Sequence, residues 1–150
     1  MTTKPAKDFP PRSLKIVNRL IVGLHRLGLA LPMPTLTVRG RKTGKPRSTP
    51  VAPYKVDGRR YVVGGDSGAD WVKNARAAGE GVLVRGRRSE RVRLVNLPEA
   101  ERGPILREFP VKVPNGVPMF LKSGIVEAAS PEAFEAAAPR CAVFRIERLN

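Results

Sequence analysis

The chain holds a single cysteine and a single histidine in 150 residues. Cys141 has no partner for an internal disulfide, which fits a reducing compartment, and we expect a cytoplasmic protein. One Cys and one His also argue against a zinc site built from those residues. A Ser-His-Asp or Cys-His device would have to use His25, which falls among cations on the polar face of a predicted helix and reads as a surface residue. Aromatics make up only 5% of the chain, and the basic segments contain none. That scarcity counts against single-strand nucleic-acid binding, which needs stacking platforms, and no helix-turn-helix or RNP-like pattern occurs. We therefore expect no specific nucleic-acid partner. No uninterrupted apolar run is long enough for a transmembrane helix, and no apolar segment followed by a small-residue cleavage site suggests a signal peptide.

What is present is positive charge. Twenty-eight Lys and Arg stand against thirteen Asp and Glu, for a net +15. Such a balance favours an anionic partner without specifying a fold. The densest stretch is VRGRKTGKPRSTP, Val38 to Pro50, with five cations and no acid. A shorter echo, VRGRR, recurs at Val84 to Arg88. It reads either as two independent basic hairpin turns or as two turns gripping one anion.

Residues 1–12 are polar, carry three prolines and read as a flexible tail. Residues 13–31 read as an amphipathic helix: Leu14, Val17, Leu20, Ile21, Leu24 and Leu27 share one face, with Lys15, Arg19 and Arg26 opposite. Such a helix packs over a sheet or lies at a membrane surface. Residues 32–150 form the main domain. Strand patterns cover TLTVRG, RSTPVAPYKV, RRYVVGG, GVLVRG, SERVRLVNL and CAVFRIERL. Asp57-Gly58 and Arg87-Arg88 are predicted hairpin turns. SGADWVKNARAAG reads as a short helix closed by Gly79, a second helix runs from Pro98 to about Phe109, and Ser130 caps a third. PVKVPNGVP reads as irregular. About six antiparallel strands with short peripheral helices predict an α+β fold closed as a small barrel.

The basic stretch is not a P-loop, because three residues rather than four separate Gly40 from Gly44 and Pro46 stands where a hydroxyl is needed. GGDSG, Gly64 to Gly68, lacks the Rossmann spacing. Asp66 and Asp70 have no further acids nearby and read as turn and cap residues rather than metal ligands. Chemically, a glycine-bearing turn can aim backbone N–H groups at one oxyanion. Arg41 and Arg47 can grip it bidentately, and Lys42 adds a point charge. Ser48 and Thr49 supply hydroxyls. Trp71 reads equally as a pocket wall or a core residue. These residues point to a phosphate site on a barrel rim.

LTVRGRKTGKPRSTPV, DGRRYVVGGDSG and DWVKNARAAG together resemble the deazaflavin-dependent nitroreductase family, whose members include F420H2-dependent quinone reductase-like proteins. The resemblance implies a split β-barrel like that of the FMN-binding oxidoreductases and coenzyme F420 as hydride carrier, with FMN as the alternative cofactor. It implies that Arg41, Lys42, Thr43 and Arg47 surround the cofactor's phosphate and acidic tail. Ser48, Thr49, Pro50 and Val51 would run beside the cofactor, and Gly65, Asp66 and Ser67 would lie near its ring, with Ser67 the one candidate catalytic helper. Trp71, Val72 and Asn74 would close the pocket. The chain departs from the family where Asp66 replaces a lysine, and where tyrosines are missing from the C-terminal third. The resemblance therefore implies a hydride transfer from reduced F420 to a small electrophilic acceptor: a quinone, an activated alkene such as an enone, or a nitro compound. The rival expectation is a non-catalytic barrel that carries a cofactor or lipid, with residues 13–31 touching a membrane. A monomer and a homodimer are both compatible with the sequence.

Overall fold

A computed structural model describes residues 34–149. The tail and the amphipathic helix expected before residue 32 lie outside the described residues. Seven strands form one antiparallel sheet: β1 (Thr35–Arg39), β2 (Pro46–Pro50), β3 (Tyr54–Val56), β4 (Arg59–Gly64), β5 (Glu80–Arg85), β6 (Arg88–Asn96) and β7 (Ala142–Arg148). Their spatial order is β2-β1-β5-β6-β7-β4-β3. The expected RSTPVAPYKV segment is thus two strands, and these two are the opposite edges of the sheet.

That order forces the sheet to curl. Seven strands laid flat would put the edges about 29 Å apart at the usual inter-strand spacing. Yet only residues 51–53 join β2 to β3, a link that spans at most about 14 Å. The edges must approach each other without pairing, which is a split barrel. Backbone pairing does not close the sheet, so the predicted barrel is an open one.

Alternation then sorts the side chains. Val62, Ala142, Phe144 and Ile146 point into the barrel, where they meet Leu36, Val38, Leu83, Val92 and Leu94. Tyr61 and Val143, one residue out of phase, point outward into a second core. That outer core is covered by α2 (Glu99–Lys112), a 3-10 turn (Pro114–Gly116), α3 (Val117–Lys122) and α4 (Pro131–Glu135). Its centre is aromatic: Phe109 lies 4.9 Å from Phe120 and 5.4 Å from Phe134, centroid to centroid. Tyr54 donates from its hydroxyl to the carbonyl of Ile105 at 2.7 Å, tying β3 to α2.

Three expectations are corrected. The helix predicted to stop at Phe109 continues through Pro110 to Lys112, and it also contains Pro104. An interior proline costs roughly 3 kcal/mol, and here burial of Ile105, Leu106 and Phe109 outweighs it. The segment read as irregular contains the 3-10 turn and α3. The second hairpin turns at Gly86-Arg87 rather than Arg87-Arg88, because Arg85 pairs with Arg88 and Gly86 takes the positive φ, 60°, that such a turn requires. The Asp57-Gly58 turn forms as expected, with φ of 52° and 79°, and Ser130 caps α4 by accepting from the Ala133 amide at 3.1 Å.

Candidate functional site

The strand registers place the two basic turns at opposite ends of the barrel. Thr35 of β1 lies opposite Val84 of β5, so the Gly86-Arg87 turn sits at the start of β1 and the Gly40–Lys45 turn at its end. They are separated by the length of β1, about 17 Å. The two turns therefore do not share an anion, and each opens on its own cavity.

At the first turn, α1 (Asp70–Ala78) packs across the barrel end. Val72 and Ala75 face the core and are fully buried. Gly79 ends the helix with φ of 70°, its amide bonded to Ala75 O. Gly64 allows the close approach: a Cβ there would stand 2.6 Å from Val72 Cγ2 and 2.9 Å from Trp71 Cζ2. One further polar residue of α1, Asn74, is 6% exposed and aims at the turn. Its Oδ1 accepts from the Arg41 amide at 3.1 Å and from the Arg41 guanidinium at 2.7 Å. The same guanidinium pairs with Asp70 Oδ1 at 3.1 Å. This hydrogen bond, reinforced by the guanidinium charge, holds the exposed Asp70 carboxyl below the usual carboxylate range.

The turn closes on itself. Gly40 N donates to Lys45 O, Gly44 N to Gly40 O, and Lys45 N to Thr43 Oγ1. With Arg41 N committed to Asn74, only the Lys42 and Thr43 amides of the turn remain to face a ligand. The free amides expected from the glycine-bearing turn are thus reduced to these two successive ones, and side chains must supply the rest of the grip. Among the described residues the Lys42 and Arg47 side chains make no hydrogen bond or ion pair, whereas the Arg41 guanidinium is held through both terminal nitrogens by Asn74 and Asp70.

The cavity beside the turn has a volume of about 460 Å³. It brings together Arg41, Lys42, Thr43, Arg47, Ser48, Thr49, Trp71 and Asn74, with Gly40 and Asp70. Ser48 shares a 2.8 Å hydrogen bond with Thr37, which anchors its hydroxyl. Trp71 fills both of its expected roles, lining the cavity and packing 6.1 Å from the Phe144 ring. Six other predicted residues stand outside the lining. Val51 and Val72 lie in the barrel core, and Pro50 is exposed on the edge strand. Gly65 faces Phe120 and Ile125, which a Cβ would meet at 3.2 and 2.9 Å. Asp66 accepts from the Gly68 amide at 2.8 Å. Ser67 is held by its backbone, to Arg140 O and to the Arg76 side chain.

Asp70 was read from sequence only as a cap or turn residue. It lies in the first turn of α1 and also pairs across to Arg41. An acid four residues before an asparagine, both on one helix face, is the signal that could have indicated a shared target. No group of His, Cys, Asp and Glu that could hold a metal ion occurs among the described residues.

Residues 15–116 match the family model described as F420H(2)-dependent quinone reductase. No curated protein matches the chain. Solved structures share the fold at low identity. A structure described as a domain-swapped dimer is 20% identical over 95% of this chain and 99% of its own, with a TM-score of 0.55. PhzG from Burkholderia lata 383, in complex with tetrahydrophenazine-1-carboxylic acid, is 19% identical over 94% and 79%, with a TM-score of 0.50. An F420 reductase is 12% identical over 79% and 88%, also with a TM-score of 0.50.

Proposed function

We infer the activity from one premise: the chain belongs to the F420H(2)-dependent quinone reductase family. It is an F420-dependent oxidoreductase, and coenzyme F420 is its cofactor. The rim cavity suits a cofactor that carries a phosphate. It sets Lys42 and Arg47, whose side chains make no hydrogen bond or close ion pair among the described residues, beside the hydroxyls of Thr43 and Thr49. That pair of exposed, uncommitted cations carries the reading, because hydrogen bonds from an arginine fork and a lysine ammonium to phosphate are charge-assisted and roughly twice as strong as neutral ones.

Lys42 and Arg47 bind the anionic part of the cofactor. Arg41, locked by Asn74 and Asp70, shapes the turn and adds to the positive potential. Trp71 walls the cavity and keeps water from one side. Pro50, Val51, Val72, Gly65, Asp66 and Ser67 are assigned to the cofactor by the family pattern alone. When bound, reduced F420 supplies a hydride, and with one proton this converts a quinone to a hydroquinone. A quinone is the acceptor we favour, from the family's own description, ahead of an activated alkene or a nitro compound. Asp70 is the one carboxyl at the cavity among the described residues, and Arg41 favours its ionised form, so the product's proton comes from solvent.

The test mixes the full chain with reduced F420 and menadione and follows cofactor oxidation by absorbance. Arg47→Ala should weaken F420 binding about ten- to hundredfold, the scale of a lost charge-assisted hydrogen bond. Arg87→Ala, at the opposite barrel end, should leave it unchanged. Binding without turnover across quinones, enones and nitroaromatics would make the protein a carrier. Absence of binding would refute the cofactor site.

A further inference from the structure

The opposite mouth of the barrel carries a larger cavity, of about 720 Å³, which shares no lining residue with the cavity at the first basic turn. Its chemistry follows from the strand registers. Arg85 pairs with Arg88, Leu83 with Glu90, and Lys55 with Arg60. Leu83 faces the barrel interior, so Arg85, Arg88 and Glu90 share that face. Arg60 and Arg148 fall in phase with the interior residues Val62 and Ile146. Five strand-borne cations therefore converge on one mouth, and Arg87 of the turn adds a sixth.

Among the described residues the mouth has one carboxylate, and it is already spent. Glu90 accepts a two-pronged hydrogen bond from Arg60, at 2.9 and 2.8 Å, and a third from Arg148 at 3.1 Å. Lys55, Arg85 and Arg88 have no protein partner among the described residues. Lys55 comes from the edge strand β3, whereas Arg85 and Arg88 come from β5 and β6, on the far side of the curl. Strands hold their side chains at fixed spacing, so these cations cannot splay far apart to relieve their repulsion.

We propose that this mouth is a second anion site, distinct from the cofactor cavity, that binds a compact oligophosphate. Three unpartnered cations call for a multivalent anion. Arginine forks match phosphate oxygens bidentately, which favours phosphate over an equally charged flexible chain. A cavity of about 720 Å³ rimmed by these side chains suits a small oligophosphate or the phosphate end of a larger metabolite. Such a ligand would bridge β3 to β5 and β6 across the mouth and so stabilise the curl.

Calorimetric titration of the full chain with inorganic triphosphate, at 150 mM salt and with excess F420 present to occupy the first cavity, tests this. The expected result is saturable one-to-one binding, at least tenfold tighter than orthophosphate, with a rise in melting temperature. Arg85→Ala/Arg88→Ala should weaken it at least tenfold while keeping the wild-type circular dichroism, and Lys55→Ala provides a second variant should the pair fail to fold. Arg47→Ala should leave triphosphate binding unchanged. No saturable binding, equal binding by the mouth variants, or loss in Arg47→Ala alone would overturn the proposal. Displacement of triphosphate by duplex DNA with several proteins per strand would reassign the mouth to nucleic acid and overturn it equally.

Discussion

Replacing Asn74 by alanine should disorganise the basic turn although Asn74 contributes no charge. Its Oδ1 accepts two hydrogen bonds, one from a neutral amide and one from a guanidinium. The first is worth about 1 kcal/mol and the second about 1.5–3 kcal/mol. The part-buried Arg41 amide also loses its only partner among the described residues. Asn74→Ala should therefore cost about 2–4 kcal/mol in unfolding free energy, measured by urea denaturation. F420 affinity should fall with it, because Lys42 and Arg47 depend on the turn for their positions. Asn74→Asp keeps an acceptor oxygen in the same place and should recover most of the stability. Two results would refute this reasoning. Near-neutral stability of Asn74→Ala would mean that the turn holds itself through its own amides. An Asn74→Asp variant as unstable as Asn74→Ala would mean that packing, not the acceptor, is what Asn74 supplies.

Gly64→Ala should destabilise by about 1–3 kcal/mol, the usual cost of overpacking, because its methyl would press on Val72 and Trp71. A neutral melting temperature would show that α1 can shift outward freely. Cys141 is fully buried, and that burial pushes its thiol up to about 11. Native protein should therefore resist alkylation at pH 8 and react only as it unfolds, and prompt labelling would contradict this. Glu90 is held below the ordinary carboxylate range, first by its hydrogen bond to Arg60. A carboxyl depressed in the folded state lends stability above its unfolded pKa and loses it as pH falls through the folded value. Glu90→Gln should flatten that acid-side loss and lower stability at neutral pH, most of all at low salt, where the mouth cations repel one another unscreened. An unchanged pH profile of melting temperature would contradict it.

Local signals were readable where one residue type decides the geometry. Asp57-Gly58, Gly79 and Ser130 each mark a turn or cap because the backbone there needs positive φ or a side-chain acceptor. The rim cavity was readable for a similar reason, since most of its residues come from one continuous stretch of chain. The continuation of α2 through Pro110 to Lys112 was not, because burial of Leu106 and Phe109 overrides a local penalty. Nor was the partnership of Asn74 with Arg41, which joins residues 33 apart in sequence. It depends on α1 crossing the barrel end, and nothing in the periodicity of either segment fixes that crossing.

The opposite mouth was hidden by the alternation rule itself. On one face of β6, Arg88 and Glu90 precede Val92 and Leu94, so a single face runs from charged to apolar along its length. A period of two sorts residues by face but not by depth. It assigns such a face to the core or to solvent as a whole. In a curled sheet the same face is both, with core at the middle and solvent at the mouth. β4 repeats the pattern from Arg60 to Val62, β5 in reverse from Leu83 to Arg85, and β7 from Ile146 to Arg148. Charges cannot be desolvated in the middle of the barrel without partners, so each of these four strands places them at this same end. The convergence of four such gradients requires the strand order as well as the sequence. It explains why two nearly identical turns, VRGRK and VRGRR, end on cavities of different chemistry. One has its arginine locked by a buried amide and an aspartate, and the other sits beside a ring of cations with one shared carboxylate.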